Sequence, residues 1–259
     1  MNILGINVSE NASRHIKKLC DEFKKPVEYH NIEENQDEKG PGGLAIDVTN
    51  PERYAVYLSI GLEQRVFESN VLYELLHIRQ YETGFPTLCN KSSQLYYADR
   101  EFVEGIGGSI FSGVLDAEVY DRLRECGYSD TVDWFTLNVY NGLLSAASRK
   151  YDNLDDKYSF ANLAITFSRV MYHTNEEQDS KIQETFSAYP LVLARSTEIR
   201  DAMRRNHPDA PATAAMAMGK MIDALDLWDL FYILISGKKI RTRCFPVLLK
   251  PSLAGRQKY

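Results

Sequence analysis

The sequence predicts a single-domain α+β fold, predominantly helical, with a small antiparallel sheet packed on a helix over Leu62–Glu82. Three observations predict it. Apolar residues recur at helical spacing through most of the chain, above all from about 128 to 235. One short segment, Tyr54–Ile60, instead alternates Tyr54, Val56, Leu58 and Ile60 against Ala55, Tyr57 and Ser59, the period of a half-buried strand. With 259 residues, 44% of them hydrophobic, the chain is long enough to bury a sizeable core.

In chain order, Ser9–Lys25 reads as an amphipathic helix, capped by Ser9, lined by Ile16, Leu19, Cys20 and Phe23, and ended by Pro26. Val27–Ile32 is a short strand candidate, and Glu33–Gly43 is a polar, glycine-rich loop. Leu44–Val48 and Tyr54–Ile60 flank the turn residues Thr49-Asn50-Pro51-Glu52-Arg53, which predicts an antiparallel hairpin. The Leu62–Glu82 helix follows and stops at Gly84-Phe85-Pro86. Gln94–Phe111 reads as a helix whose Gly105, Gly107 and Gly108 weaken it and permit close packing, and Val114–Glu125 as a second, stronger one. Further helices are expected over Val132–Lys150, Ser159–His173, Glu176–Ser187, Tyr189–Arg205 and Pro211–Ile235. A core over about 44–127, a helical remainder to about 235 and a basic tail, 236–259, organise the whole.

Composition narrows the function classes. No stretch approaches the roughly 18 apolar residues of a membrane span, and the first residues lack the pattern of a secretory signal, so a cytoplasmic protein is expected. Cys20, Cys89, Cys126 and Cys244 are scattered with no CxxC pair, which points to reduced thiols and excludes a zinc ribbon. The net charge of −6 is uneven: 236–259 holds seven of the 30 basic residues and no acidic one, leaving 23 bases against 36 acids, or −13, elsewhere. Such a tail can bind a nucleic-acid backbone, or fold back on the acidic body, which is the preferred expectation. The sixteen tyrosines suit a protein partner if exposed.

One helix carries the chemistry. Val71-Leu72-Tyr73-Glu74-Leu75-Leu76-His77-Ile78 is apolar nearly all round, which predicts burial, and Tyr73, Glu74 and His77 project to one side. A buried carboxylate must be protonated, hydrogen-bonded or near a cation, so Glu74 needs His77 as a partner or a cleft. An iron site of paired Glu-x-x-His motifs would require a second copy, which the sequence lacks.

The hairpin, the YELLH helix and Gly84-Phe85-Pro86 together resemble the active-site segment of the zincin metallopeptidases, whose HExxH helix binds zinc through two histidines and uses the glutamate as general base. The resemblance covers roughly Leu44–Gly127. It implies that Glu74 stands at the general base and His77 at the second zinc ligand, while Tyr73 replaces the first. It implies an acidic third ligand further along, with Asp116 the candidate and Glu101, Glu104 and Glu118 competing; from the residues alone, Asp116 reads first as a helix cap. With one ligand replaced, zinc should be absent or weakly held. The expected function is a binding or regulatory module working through protein contacts. The alternative is a metal-dependent, peptidase-like hydrolase with Glu74 as base, Tyr73 in the catalytic site and His77 as ligand.

Overall fold

A computed structural model describes residues 1–32, 46–91, 97–146, 154, 156–235 and 238–240, the side chains of 97–102 and 238–240 excepted. In chain order the elements are β1 (Asn2–Ile3), β2 (Ile6–Asn7), α1 (Glu10–Glu22), β3 (Val27–Asn31), β4 (Ile46–Asp47), β5 (Tyr54–Leu58), α2 (Gln64–Glu82) and β6 (Thr87–Asn90). They continue with α3 (Tyr97–Glu125), α4 (Ser129–Ser145), α5 (Lys157–His173), α6 (Glu176–Thr185), α7 (Pro190–Arg205), α8 (Pro211–Ala224), β7 (Phe231–Ile235) and β8 (Lys238–Ile240). The fold is α+β and predominantly helical, with small sheets of two or three strands. The chain divides into two compact units, Met1–Gly84 with Leu115–Gly142, and Phe85–Val114 with Leu143–Tyr259.

The first unit begins with a two-residue hairpin that periodicity does not reveal. Leu4 and Gly5, at φ 52° and 85°, turn β1 back onto β2, and positive φ at both central positions matches the twist of paired strands. Ser9 caps α1 by accepting the Ala12 amide at 3.2 Å. The hairpin expected between 44–48 and 54–60 is present as antiparallel β4 and β5, and β3 adds to the free edge of β5 in parallel, from Val27↔Tyr54 to Asn31↔Leu58. The sheet order β3-β5-β4 is therefore mixed.

Helix α2 packs on β5 and on α1. It fulfils the expectation of a helix apolar nearly all round, burying Phe67, Val71, Leu72, Leu75, Leu76 and Ile78; full burial of one such side chain stabilises by about 1.5–3 kcal/mol. It ends as read, with the Thr83 amide on the Arg79 carbonyl and Gly84 at φ 80°.

Two expectations need correction. The stretch read as two helices, Gln94–Phe111 and Val114–Glu125, is the continuous α3, so Asp116 lies inside a helix, not at a cap. Glycine lowers helix propensity by only about 1 kcal/mol, and two glycines of α3, Gly107 and Gly113, serve packing, whereas a β-carbon on Gly105 or Gly108 would meet nothing within 4 Å. A β-carbon on Gly107 would meet the Phe231 ring at 2.9 Å, and one on Gly113 the Arg169 side chain at 2.8 Å. The helix expected over Pro211–Ile235 stops at Ala224, with Asp226 at φ 51° in the turn that follows. Phe231–Ile235 is a strand, paired antiparallel with both β6 and β8. Its aromatic and β-branched residues favour the pleated form once neighbouring strands supply the ladder.

The second unit is built on α5 packed against α7, and α7 against α8. Phe167 meets Phe186 edge-on at 4.6 Å, and the buried Ser196 hydroxyl donates to the Ala164 carbonyl at 3.1 Å. Arg200 and Thr174 both satisfy the buried Asp179. No helix among the described residues is long and apolar enough to cross a membrane. The tail beyond Ile240 and the Glu33–Gly43 loop lie outside the described residues.

Candidate functional site

The candidate site lies wholly within the first unit, where α2 faces the α3 segment after Val114. Tyr73 and His77 are one helical turn apart, and their rings meet edge-on at 4.6 Å. Across from them, the buried Asp116 accepts the Tyr73 hydroxyl on Oδ1 at 2.8 Å, and the same oxygen lies 3.5 Å from His77 Nε2. The other imidazole nitrogen, Nδ1, is 3.0 Å from Gln80 Oε1, so Gln80 orients the ring. Gln80 in turn donates to the Leu115 carbonyl and to Glu118, each at 3.0 Å.

The electrostatics follow from burial and this wiring. Desolvation and the adjacent Asp116 push the Tyr73 phenol well above its ordinary pKa, so it remains a proton donor. Burial works against a charged His77, but the hydrogen bond and charge of Asp116, with Glu74 and Gln80 adding, carry its pKa above the ordinary value. The protonated form of His77 is thus favoured by the Asp116 side chain it faces. Glu74 is different. Burial raises its pKa to about 7 against the opposing pull of His77, with Asp116 adding to the rise. No hydrogen bond to Glu74 is found among the described residues.

Glu74 opens on a cleft of about 320 Å3. Tyr57, Tyr73, Tyr120, Trp134 and Phe135 also line it, so five rings share the lining with one carboxyl group. Tyr73 and Tyr120 lie 6.1 Å apart, and Tyr120 meets Phe135 edge-on at 5.8 Å. On α4, Trp134 is 58% exposed and Phe135 45%, while Leu137 and Val139 extend the exposed apolar surface along the same helix.

The structure therefore brings together all four candidate residues, Tyr73, Glu74, His77 and Asp116. The competitors of Asp116 are elsewhere: Glu104 is exposed in the second unit, the side chain of Glu101 lies outside the described residues, and Glu118 is held by Gln80 and Arg122. Nor do the other histidines join: His30 stacks on Tyr57 at 5.2 Å and His207 bonds Tyr172 at 2.8 Å.

As a zinc site the donor set does not fit. Zinc in a catalytic site takes three protein ligands, and among the described residues no group of three His, Cys, Asp or Glu side chains is placed to hold an ion. The third position is a phenol that donates its proton to the very carboxylate a metal would need.

Gln80 and the aromatic lining were missed by sequence reasoning. A signal existed for the lining: adjacent Trp134 and Phe135 sit about 100° apart on a helix, and with Leu137 and Val139 they spread apolar residues around most of it. Compared with known proteins, the chain matches no family model, no curated protein and no solved structure.

Proposed function

We propose that the first unit is a binding module working through protein contacts, built on a zincin-like helix whose metal position is taken by a hydrogen-bonded Tyr73–Asp116–His77 cluster. One observation carries this reading: the 2.8 Å bond from the Tyr73 hydroxyl to Asp116, 3.5 Å from His77. Positions 73, 77 and 116 are those the resemblance assigns to the three ligands, and they converge although Tyr73 and Asp116 are 43 residues apart. Protons here do the cross-linking that a metal would do. The exposed Trp134, Phe135, Leu137 and Val139 support a protein partner over nucleic acid for this surface, because aromatic and apolar groups rather than cations flank the cleft. The unpaired thiols Cys20, Cys89 and Cys126 suit a cytoplasmic setting.

The test is metal analysis of the full chain purified without chelator, beside the Tyr73→His variant. The wild type is expected to hold far less than one zinc per chain, and Tyr73→His to gain zinc approaching one per chain, lost again on a further His77→Ala. Stoichiometric zinc in the wild type, removed by His77→Ala, overturns the proposal in favour of a metal-dependent hydrolase. A Tyr73→His variant that folds yet binds no zinc removes the zincin-like reading of the helix.

A further inference from the structure

A cleft can discriminate ligands only through what lines it. This one presents the rings of Tyr57, Tyr73, Tyr120, Trp134 and Phe135, one ionisable carboxyl group, and no lysine, arginine or histidine. Aromatic rings carry negative charge on their faces and attract cations, an attraction of about 0.5–2 kcal/mol per ring that strengthens as the cation is desolvated. A carboxylate set among them adds a formal countercharge. Glu74 is well placed for that part. No described side chain donates a hydrogen bond to it, and its neighbours Tyr73 and His77 direct their polar atoms to Asp116 and Gln80. Its carboxyl group is therefore free for a ligand, while Asp116 behind it is committed to its own partners.

We infer that this cleft is a binding site for an organic cation, the alkylammonium head group of a lysine side chain or of a free amine. An anion would meet Glu74 with no cationic side chain lining the cleft to neutralise it, and a neutral apolar ligand would leave a half-buried carboxyl group without a partner. A compact cation satisfies both features, its alkyl surface against the rings and its charge against Glu74. The volume of about 320 Å3 admits an alkylammonium group together with a short stem. The inference concerns the chemistry of the cleft and holds whether or not the α2 helix is zincin-like.

The experiment titrates the full-length protein at pH 8 with butyltrimethylammonium, with butylammonium, and with butan-1-ol, the neutral isostere of butylammonium, following each probe's own resonances by saturation-transfer NMR so that wild type and variants are read alike. Saturable binding of an ammonium probe is expected in the millimolar range, with the neutral isostere about tenfold weaker or more. Glu74→Gln and Trp134→Ala should each weaken the ammonium probe by about fivefold or more. Trp134 is exposed, so its replacement should leave folding unchanged and keeps the test valid if Glu74→Gln alters stability. Equal binding of the neutral isostere overturns the inference, as does an affinity unchanged in both variants, or the lack of saturable binding by either cation. A capped peptide carrying lysine, or trimethyl-lysine, separates the sources: about tenfold tighter binding than the matching free amine assigns the site to a protein side chain, and equal binding to a small amine.

Discussion

Two of the three glutamates of helix α2, Glu68 and Glu74, have opposite fates. Glu68 and Glu74 are six residues apart, which rotates them about 120° around the helix axis. Glu68 faces the start of α1 and Tyr128. It accepts the Ser9 amide at 2.6 Å, the Ser9 hydroxyl at 2.9 Å, the Tyr128 hydroxyl at 2.7 Å and the Gln64 side chain at 3.1 Å. Desolvation would raise its pKa, but those donors outweigh it and hold the group below the ordinary range. Glu74 receives no such donors, so desolvation prevails and lifts it to about 7. Burial alone does not decide whether a carboxyl group is structural or reactive. The number of donors aimed at it does, and by that measure Glu68 fastens the unit together while Glu74 remains available.

The largest expected effect in this comparison comes from Glu68→Ala. It strands the Ser9 and Tyr128 donors at once and should destabilise the first unit by about 3 kcal/mol at pH 7, measured by urea unfolding. Because the folded pKa of Glu68 is depressed, its contribution is present above the unfolded value near 4.5 and lost as pH falls through the folded one. The penalty of Glu68→Ala should therefore shrink below about pH 4. Equal penalties at pH 7 and pH 3 would break the contrast on this side.

Glu74→Gln should behave in the opposite sense. A carboxyl group whose folded pKa is raised binds its proton more tightly when folded, so folding stability declines as pH climbs from 4.5 toward 7. His77, raised as well, contributes in the same direction, its stabilisation fading as pH rises through its folded pKa. Tyr73 and Asp116, which also lie near Glu74, are linked to each other and are left in place by the substitution. Glu74→Gln should thus be nearly neutral at pH 5 and stabilising at pH 8 by about 1–3 kcal/mol, seen as a flattened pH profile of unfolding midpoints. A uniform destabilisation at both pH values would show that Glu74 has donors after all.

Ser9→Ala sharpens the comparison with the smallest effect. It removes the α1 cap and one of four bonds to Glu68 but keeps the backbone amide donor, so about 1–2 kcal/mol is expected by the same unfolding measurement. A loss as large as that of Glu68→Ala would mean the hydroxyl, not the carboxylate, organises this region.

Much of this arrangement was legible in the amino-acid order. Ser9 before an amphipathic run marked α1, Gly84-Phe85-Pro86 marked the end of α2, and Glu74 and His77 stood out as polar residues on an otherwise apolar helix. These are local properties, fixed by propensity, capping and the helical period within a few residues. What lay beyond local reach was every pairing across distance. Phe231–Ile235 fits a helical repeat as readily as a strand until β6 arrives beside it. Asp116 reads as a cap until α3 runs through it and brings its carboxylate to Tyr73. The four donors of Glu68 come from three separate segments, and the five rings that line the cleft with Glu74 from β5, α2, α3 and α4. The sequence by itself determined which helix is buried and which polar residues it must accommodate. Only the tertiary structure decided which of Glu68 and Glu74 would be satisfied, because donors, charges and desolvation act through space between residues the chain keeps far apart.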